Sequence, residues 1–356
     1  MLNGKTQEVE ILTLEDCLRI GIDNNLSLEG KRKEIQRSKY GVSENRSKLL
    51  PQINAIAGYS NNFDPPVSVT DGSSYGVPYN ITQTLQHSAN AGLEMQMPLF
   101  NQTLYTSMSI AKVMEEISRL SYGKAREDVI LQISKMYYLG QVTAEQIMLI
   151  KANITRLEEL RDITQAFFDN GMSMEVDLKR VNINLENLKV QYDNAQAMMK
   201  QQLNMLKYIM DYPAEKEIAL TPVNTDSITT VALTGLSENI YELQLSQSQV
   251  QLAERQKKII TNGYIPSLSL TGSWRYAAYT DKGYHWFHSG PSNQWFRSYG
   301  VGLTLRIPIF DGLDKTYKIK KAMIDIENQK TGMGRRPEEF ANSISECCER
   351  PNEQSA

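Results

Sequence analysis

The chain has 356 residues, 41% of them hydrophobic and 22% charged, with a formal net charge of -3. A mean hydropathy of -0.42 and the lack of any run of about 18 apolar residues exclude a membrane-spanning helix, although spanning strands leave a weaker trace. The small net charge gives no electrostatic reason to expect nucleic acid as a partner.

Met1 to Glu10 lack the apolar core of a secretory signal. Three readings are open: a removed signal, a start codon placed too late, or a cytoplasmic chain. Thr13-Leu14-Glu15-Asp16 opens a helix with a capping-box pattern that ends near Asn24-Asn25, and a second helix runs from about Leu26 to Leu50, so residues 1–50 are helical. Pro51 stops them. The pattern then alternates as in a strand, with Ile53, Ala55, Ala57 and Tyr59 on one face and Gln52, Asn54, Gly58 and Ser60 on the other. Pro65-Pro66, Asp71-Gly72 and Gly76-Val77-Pro78 mark residues 61–87 as a long surface loop. A second alternating run, Ala89, Ala91, Leu93, Met95 and Met97 against Asn90, Gly92, Glu94 and Gln96, completes a strand pair over 51–98.

Pro98-Leu99-Phe100-Asn101 closes the pair, with Asn101 as the cap of the next helix. No proline interrupts that stretch, so Asn101 to about Asn170 reads as one helix of roughly 100 Å at about 1.5 Å per residue. Phe168-Asp169-Asn170-Gly171-Met172-Ser173 is a sharp turn in which Gly171 suits a left-handed conformation and Ser173 caps the return helix, with Glu175 and Asp177 in its first turns. The return helix, to Met210, repeats Met174, Leu178, Val181, Leu185, Leu188, Tyr192, Ala195, Met199 and Leu206 with a period near 3.5, a coiled-coil seam. A second stripe at Val176, Ile183, Val190 and Ala197 calls for neighbours on another side. Residues 99–210 are therefore one long helical hairpin.

Residues 211–236, with Pro213 and Pro222, read as an irregular connector, and 237–264 as a further helix. The beginning then recurs. Leu28 and Leu243 each stand 23 residues before a proline, Pro51 and Pro266, at an offset of 215. Residues 265–308 hold a second strand pair: Leu268, Leu270, Gly272, Trp274 and Tyr276 against Ser267, Ser269, Thr271, Ser273 and Arg275, then Tyr299, Val301, Leu303, Leu305 and Ile307 against Ser298, Gly300, Gly302, Thr304 and Arg306. Pro308-Ile309-Phe310-Asp311-Gly312 mirrors the close of the first pair. This internal duplication predicts a second long hairpin after Asp311. Helical pattern persists over 309–330 only. Residues 331–356, with Gly332, Gly334, Arg335-Arg336-Pro337 and Cys347-Cys348, read as an irregular or disordered tail, and the second hairpin as missing.

Strands of about ten residues, polar on one face and apolar on the other, fit tilted transmembrane strands, and also the half-buried sheet of a soluble domain. Trp274, Trp286 and Trp295, with Tyr276, Tyr279, Tyr284 and Tyr299, cluster in or beside the second pair as an interfacial aromatic girdle would. Four strands cannot close a barrel, which needs about eight, and edges left open in lipid would leave backbone groups without partners. Several chains would share one barrel; Glu94, Arg275 and Arg306, on the polar strand faces, would line its lumen, and a rim position in water is the alternative reading of the two arginines.

Cys17, Cys347 and Cys348 form neither a disulfide framework nor a spaced metal set. His285 and His288 with His87 make a weak metal pattern, and an aromatic loop is the plainer reading. Glu158-Glu159 and Glu338-Glu339 read as solvated charge. No nucleophile elbow, phosphate loop or paired acid is present, so neither an enzyme nor a cofactor is expected.

The order of helix, strand, long loop, strand, Pro-Leu-Phe, long helix, glycine turn and return helix resembles the TolC family of outer-membrane efflux proteins. The residues that carry the resemblance are Leu12 to Asp16, Leu50-Pro51, Pro98 to Asn101, Phe168 to Ser173, Tyr264-Ile265-Pro266 and Pro308 to Gly312, over roughly residues 11 to 330. The resemblance implies a mainly α chain with membrane β-strands: a homotrimer whose chains give four strands each to one outer-membrane barrel, continued by a helical tunnel in the periplasm. It implies a passive conduit for small molecules such as drugs and toxic compounds, driven by an inner-membrane pump. Phe168, Asn170, Gly171, Met172 and Ser173 would be the tip that meets a periplasmic adaptor protein, and Pro51, Pro98, Phe100, Asn101, Pro266, Pro308, Phe310, Asp311 and Gly312 the strand–helix junctions. Without a second hairpin the chain is read as a truncated, defective duct. The competing reading of the same residues is a structural coiled-coil assembly protein with a soluble sheet.

Overall fold

The computed structural model describes residues 10–64, 67–71, 79–83, 85–222, 241–280 and 295–349. In chain order the elements are β1 (Glu10–Leu12), α1 (Leu14–Asn24), α2 (Leu26–Ser47), β2 (Gln52–Asn61), β3 (Val67–Asp71), β4 (Tyr79–Gln83), β5 (His87–Phe100), α3 (Gln102–Asp169), α4 (Glu175–Met210), β6 (Ile218–Leu220), α5 (Tyr241–Asn262), β7 (Ser267–Thr280), β8 (Trp295–Arg306) and α6 (Asp314–Glu349). The order α2, β2, β5, α3 recurs as α5, β7, β8, α6. Among the described residues no helix is long and apolar enough to cross a membrane.

The chain divides into two units, Met1–Gln36 with Ser118–Leu245, and Arg37–Ile117 with Ser246–Ala356. In the first unit, the core gathers Leu12, Cys17, Leu28, Val129, Ile133, Tyr137, Leu206, Ile209, Met210 and Ile218. Thr13 caps α1 in a capping box with Asp16, as its sequence predicts. Side chains bond loops to this core: Tyr137 Oη donates to Leu12 O at 3.3 Å, Asn25 Nδ2 to Ile209 O at 2.8 Å and Gln141 Nε2 to Thr221 O at 2.7 Å. The coiled-coil seam of α4 is its protected face, with Leu185, Ala195 and Leu206 buried. Val176, Ile183 and Val190 are exposed, so the described chain leaves the second stripe uncovered.

In the second unit, β2, β5, β7 and β8 form one antiparallel sheet in that order. The register places like faces together. Ile53 pairs with Met95, Leu93 with Trp274 and Trp274 with Tyr299, while Asn54 pairs with Glu94, Glu94 with Ser273 and Ser273 with Gly300. Since a one-residue slip would invert every side chain, alternation in all four strands fixes this register. β2 and β8 are the two edges.

Four elements differ from what the sequence predicts. Residues 61–87 are not one loop, because β3 and β4 pair antiparallel within them; the Val67-Ser68-Val69-Thr70 alternation is hidden by the turn residues that flank it. The connector after Met210 is not wholly irregular, since β6 pairs in parallel with β1, a three-residue strand too short to show a period and paired with a segment about 200 residues away. The strands are 10, 14, 14 and 12 residues long rather than about ten each. Finally, residues 331–349 are not an irregular tail, because α6 continues without a break to Glu349. Gly332 and Gly334 at about 1 kcal/mol each and Pro337 at about 3 kcal/mol lower the helix propensity of this stretch, which is why the sequence reads as a tail, yet α6 runs through all three.

Candidate functional site

On the polar face of the four-stranded sheet, neighbouring strands line up in cross-strand rows. One row is Gln52, Gln96, Thr271 and Gly302, the next Asn54, Glu94, Ser273 and Gly300, and the third Ile56, Gly92, Arg275 and Ser298. Arg275 Nη2 donates to Glu94 Oε1 across the diagonal between the second and third rows, a separation that long side chains span. Gly92 makes this approach fit: a Cβ there would stand 2.4 Å from Trp274 O and 2.8 Å from Arg275 Cα. The pair is nearly half exposed, so it stabilises the sheet by no more than about 1 kcal/mol. An open groove of about 530 Å³ lies beside it, lined among others by Asn54, Gln96, Thr271, Ser273, Gly300 and Gly302. Arg306 stands on the same face, paired in register with Ser267.

The opposite face is apolar and, among the described residues, exposed over much of β8, whereas Ala278 on the same face is buried. Val301 is 80% exposed and Tyr299 77%. Such a face is unfavourable in water. Trp274 and Tyr276 meet edge to face at 5.5 Å, and Arg297 stands 5.9 Å over the ring of Tyr299. Trp286 and Tyr284 of the expected girdle lie outside the described residues, as do His285 and His288. His87 is buried and shares a 2.9 Å hydrogen bond with Tyr59 Oη. Among the described residues no group of three or more His, Cys, Asp or Glu side chains could hold a metal ion.

The junctions carry the duplication down to single hydrogen bonds. Before Pro51, Leu49 N donates to Arg46 O and Leu50 N to Ser47 O; before Pro266, Tyr264 N donates to Thr261 O and Ile265 N to Asn262 O. These bonds tighten the last helical turn in both repeats. The strand-to-helix junctions differ, although their sequences mirror one another. β5 passes Pro98 with an irregularity before Phe100, and Asn101 Oδ1 then accepts from Thr103 N at 3.0 Å and caps α3 as expected. β8 ends at Arg306, ahead of Pro308 and Phe310. Gly312 and Leu313 both take positive φ, 66° and 68°, before α6 begins at Asp314. Asp311 accepts from Lys315, and Lys315 Nζ stands 4.9 Å over the Tyr264 ring. The Asp-x-x-x-Lys spacing is visible in the sequence, whereas its meeting with Tyr264 depends on the fold.

At the turn between α3 and α4, Gly171 has φ 74°, Met172 N donates to Phe167 O at 2.8 Å and Gly171 N to Phe168 O at 2.9 Å. This is a Schellman closure with glycine in the left-handed position. Ser173 does not cap α4, contrary to expectation. Met174 occupies the cap position without a side-chain bond, and Ser173 Oγ reaches back to Thr164 O at 3.5 Å. Hydrogen bonding to Lys179 holds the Glu175 carboxyl below its ordinary value. Met172 and Met174 are about three-quarters exposed, with Phe167 and Phe168 beside them in sequence also exposed.

A family model described as outer membrane efflux protein matches residues 20–210. The chain is 21% identical over 290 residues to the outer membrane protein TolC of Vibrio cholerae serotype O1, an alignment covering 79% of this chain and 61% of that one. It thus spans about three-fifths of that relative's length. Among solved structures it is similar to CusC, with a TM-score of 0.74, 16% identity and coverage of 93% of this chain and 75% of that one. The outer-membrane channel OprN gives a TM-score of 0.74 at 15% identity, covering 95% and 74%. VceC, an outer membrane protein of Vibrio cholerae, gives 0.72 at 13% identity, covering 94% and 79%. At these identities the structural likeness carries the fold, and the sequence match, which takes in more than half of the residues, places the chain in the outer membrane efflux protein family.

Proposed function

We propose that this chain is the outer-membrane channel component of a tripartite efflux system, a passive conduit with no catalytic step of its own. The observation that carries this reading is the sheet: an apolar face exposed over much of its area, a polar face opposite it, and two edges, β2 and β8, that pair with no further strand among the described residues. Lipid against the apolar face and further copies of the chain on the β2 and β8 edges resolve both problems together. Three chains with four strands each make one barrel, with Glu94, Arg275 and Arg306 toward its lumen. The α3–α4 hairpin extends into the periplasm, and the tip around Phe168, Asn170, Gly171, Met172 and Ser173 meets an adaptor that links the channel to an inner-membrane pump. Exposed Met172 and Met174 support that use of the tip, because flexible, polarizable side chains suit a docking surface.

Fractionation of cells exporting the protein tests the reading. Recovery from the outer membrane only with detergent, as a trimer, is expected, together with capture of an adaptor by cross-linkers at Asn170 or Met172. Recovery as a detergent-independent soluble assembly would instead favour the coiled-coil scaffold.

A further inference from the structure

We infer that the Glu94–Arg275 pair sets the charge selectivity of the channel: by pairing within the wall, the two side chains cancel, and the barrel passes solutes of either sign at this level. The inference rests on the reading of the polar sheet face as a lumen wall. Among the described residues, that face carries only three charges, Glu94, Arg275 and Arg306, set among amides, hydroxyls and glycines with a few apolar side chains such as Ile56, Ala277 and Phe296. Either member of the pair alone would leave one uncompensated charge per chain beside the groove, repeated around a trimeric pore. Rings of charge at such positions select ions strongly. Strand register brings the two together. Directly opposite Glu94 is Ser273, directly opposite Arg275 is Gly92, and those two small residues leave the diagonal open for the guanidinium.

The pair is also poorly placed to serve stability alone, being exposed by 43% and 46% at its side chains. Water screens an interaction of that exposure. Its effect is therefore on the field inside the pore, where the partner of each charge decides whether a passing ion meets a bare charge or a dipole. Since Arg306 is unchanged in every variant below, the charge on the described part of this face is one positive unit per chain in the native protein. It becomes two positive in Glu94→Gln, none in Arg275→Gln, and one positive again in the double variant.

The test is the reversal potential of the protein in planar bilayers under a salt gradient. Glu94→Gln should shift it toward anion preference, Arg275→Gln toward cation preference, and Glu94→Gln with Arg275→Gln should return it close to the native value. Ser273→Cys treated with positively or negatively charged methanethiosulfonate reagents, with the native protein as control, supplies a second measurement that leaves the pair intact. If Ser273→Cys reacts and lowers conductance while the Gln variants leave the reversal potential unmoved, the selectivity role is overturned and the lumen stands. If Ser273→Cys is inert in a conducting channel, or the inserted protein does not conduct, the lumen reading falls and this inference with it.

Discussion

Asp311 holds Lys315 twice: its Oδ2 accepts from Lys315 N at 3.2 Å and from Lys315 Nζ at 3.0 Å. The same ammonium lies over Tyr264, so one lysine joins the end of α5 to the start of α6. Both charged side chains are largely shielded, at 20% and 23% exposure. Hydrogen bonding to Lys315 holds the Asp311 carboxyl below its ordinary value of 3.8. A depressed carboxylate contributes stability that is present above the unfolded value and lost as pH falls through the folded one. Asp311→Asn should therefore melt below the native protein at pH 7. The difference should close as pH falls below about 4, read by thermal unfolding across a pH series.

The two sheet faces make a sharper prediction. Leu270 pairs with Leu303 on the apolar face, and Ser269 with Thr304 on the polar one. Arginine at Leu270 or Leu303 should cost about 2–4 kcal/mol of stability in the membrane, and arginine at Ser269 or Thr304 far less. Equal losses on the two faces, measured by unfolding from bilayers, would remove the case for a lipid-facing surface.

Gly92 and Gly300 separate crowding from mere strand propensity. A Cβ at Gly92 would press on the Trp274 carbonyl at 2.4 Å, while one at Gly300 meets nothing within 4 Å. Gly92→Ala should cost about 1–3 kcal/mol by overpacking, and Gly300→Ala should be neutral or slightly stabilising. Denaturant titration of both variants checks the contrast.

Burial pushes the Cys17 thiol up to about 11 from its ordinary 9.0. Between those values the folded chain keeps a proton that the unfolded chain has released, so stability is fully present below about pH 9 and falls as pH rises toward 11. Cys17→Ala should lack that part of the alkaline loss when the two are compared by unfolding at each pH.

Much of this fold is legible in the sequence because it is written in local periods. The alternation of Leu268 to Tyr276 gives both the strand and its faces, and the spacing of Leu178, Leu185 and Ala195 gives the protected side of α4. What escapes is nonlocal or too short to repeat. The parallel pairing of Glu10 with Ile218 leaves no period in either segment, and the diagonal from Glu94 to Arg275 arises from register between strands far apart in sequence. The two junctions look alike as Pro-Leu-Phe-Asn and Pro-Ile-Phe-Asp, yet an asparagine that caps directly and an aspartate followed by left-handed Gly312 and Leu313 start their helices differently. Residues of the α3–α4 turn and of the polar sheet face can be named individually from sequence, whereas the partners that constrain them cannot.

The tip offers a prediction in which space and backbone can be told apart. Gly171 sits at φ 74° with nothing within 4 Å of where a Cβ would be, so a substitution there meets backbone strain and no collision. Alanine should cost about 1 kcal/mol and valine more, because a β-branched side chain crowds the left-handed conformation, while asparagine, which tolerates it, should cost least. The hairpin end is far from the buried core of its unit, so the loss should be local opening rather than global unfolding. Amide exchange at Met172, whose N–H closes the turn onto Phe167 O at 2.8 Å, is the direct readout. The expected order of protection is glycine, asparagine, alanine, valine. An unchanged rate in the valine variant would mean that the turn does not depend on the left-handed residue. The same variants, studied by cross-linking at Asn170, would show whether the closed turn is also what a partner recognises.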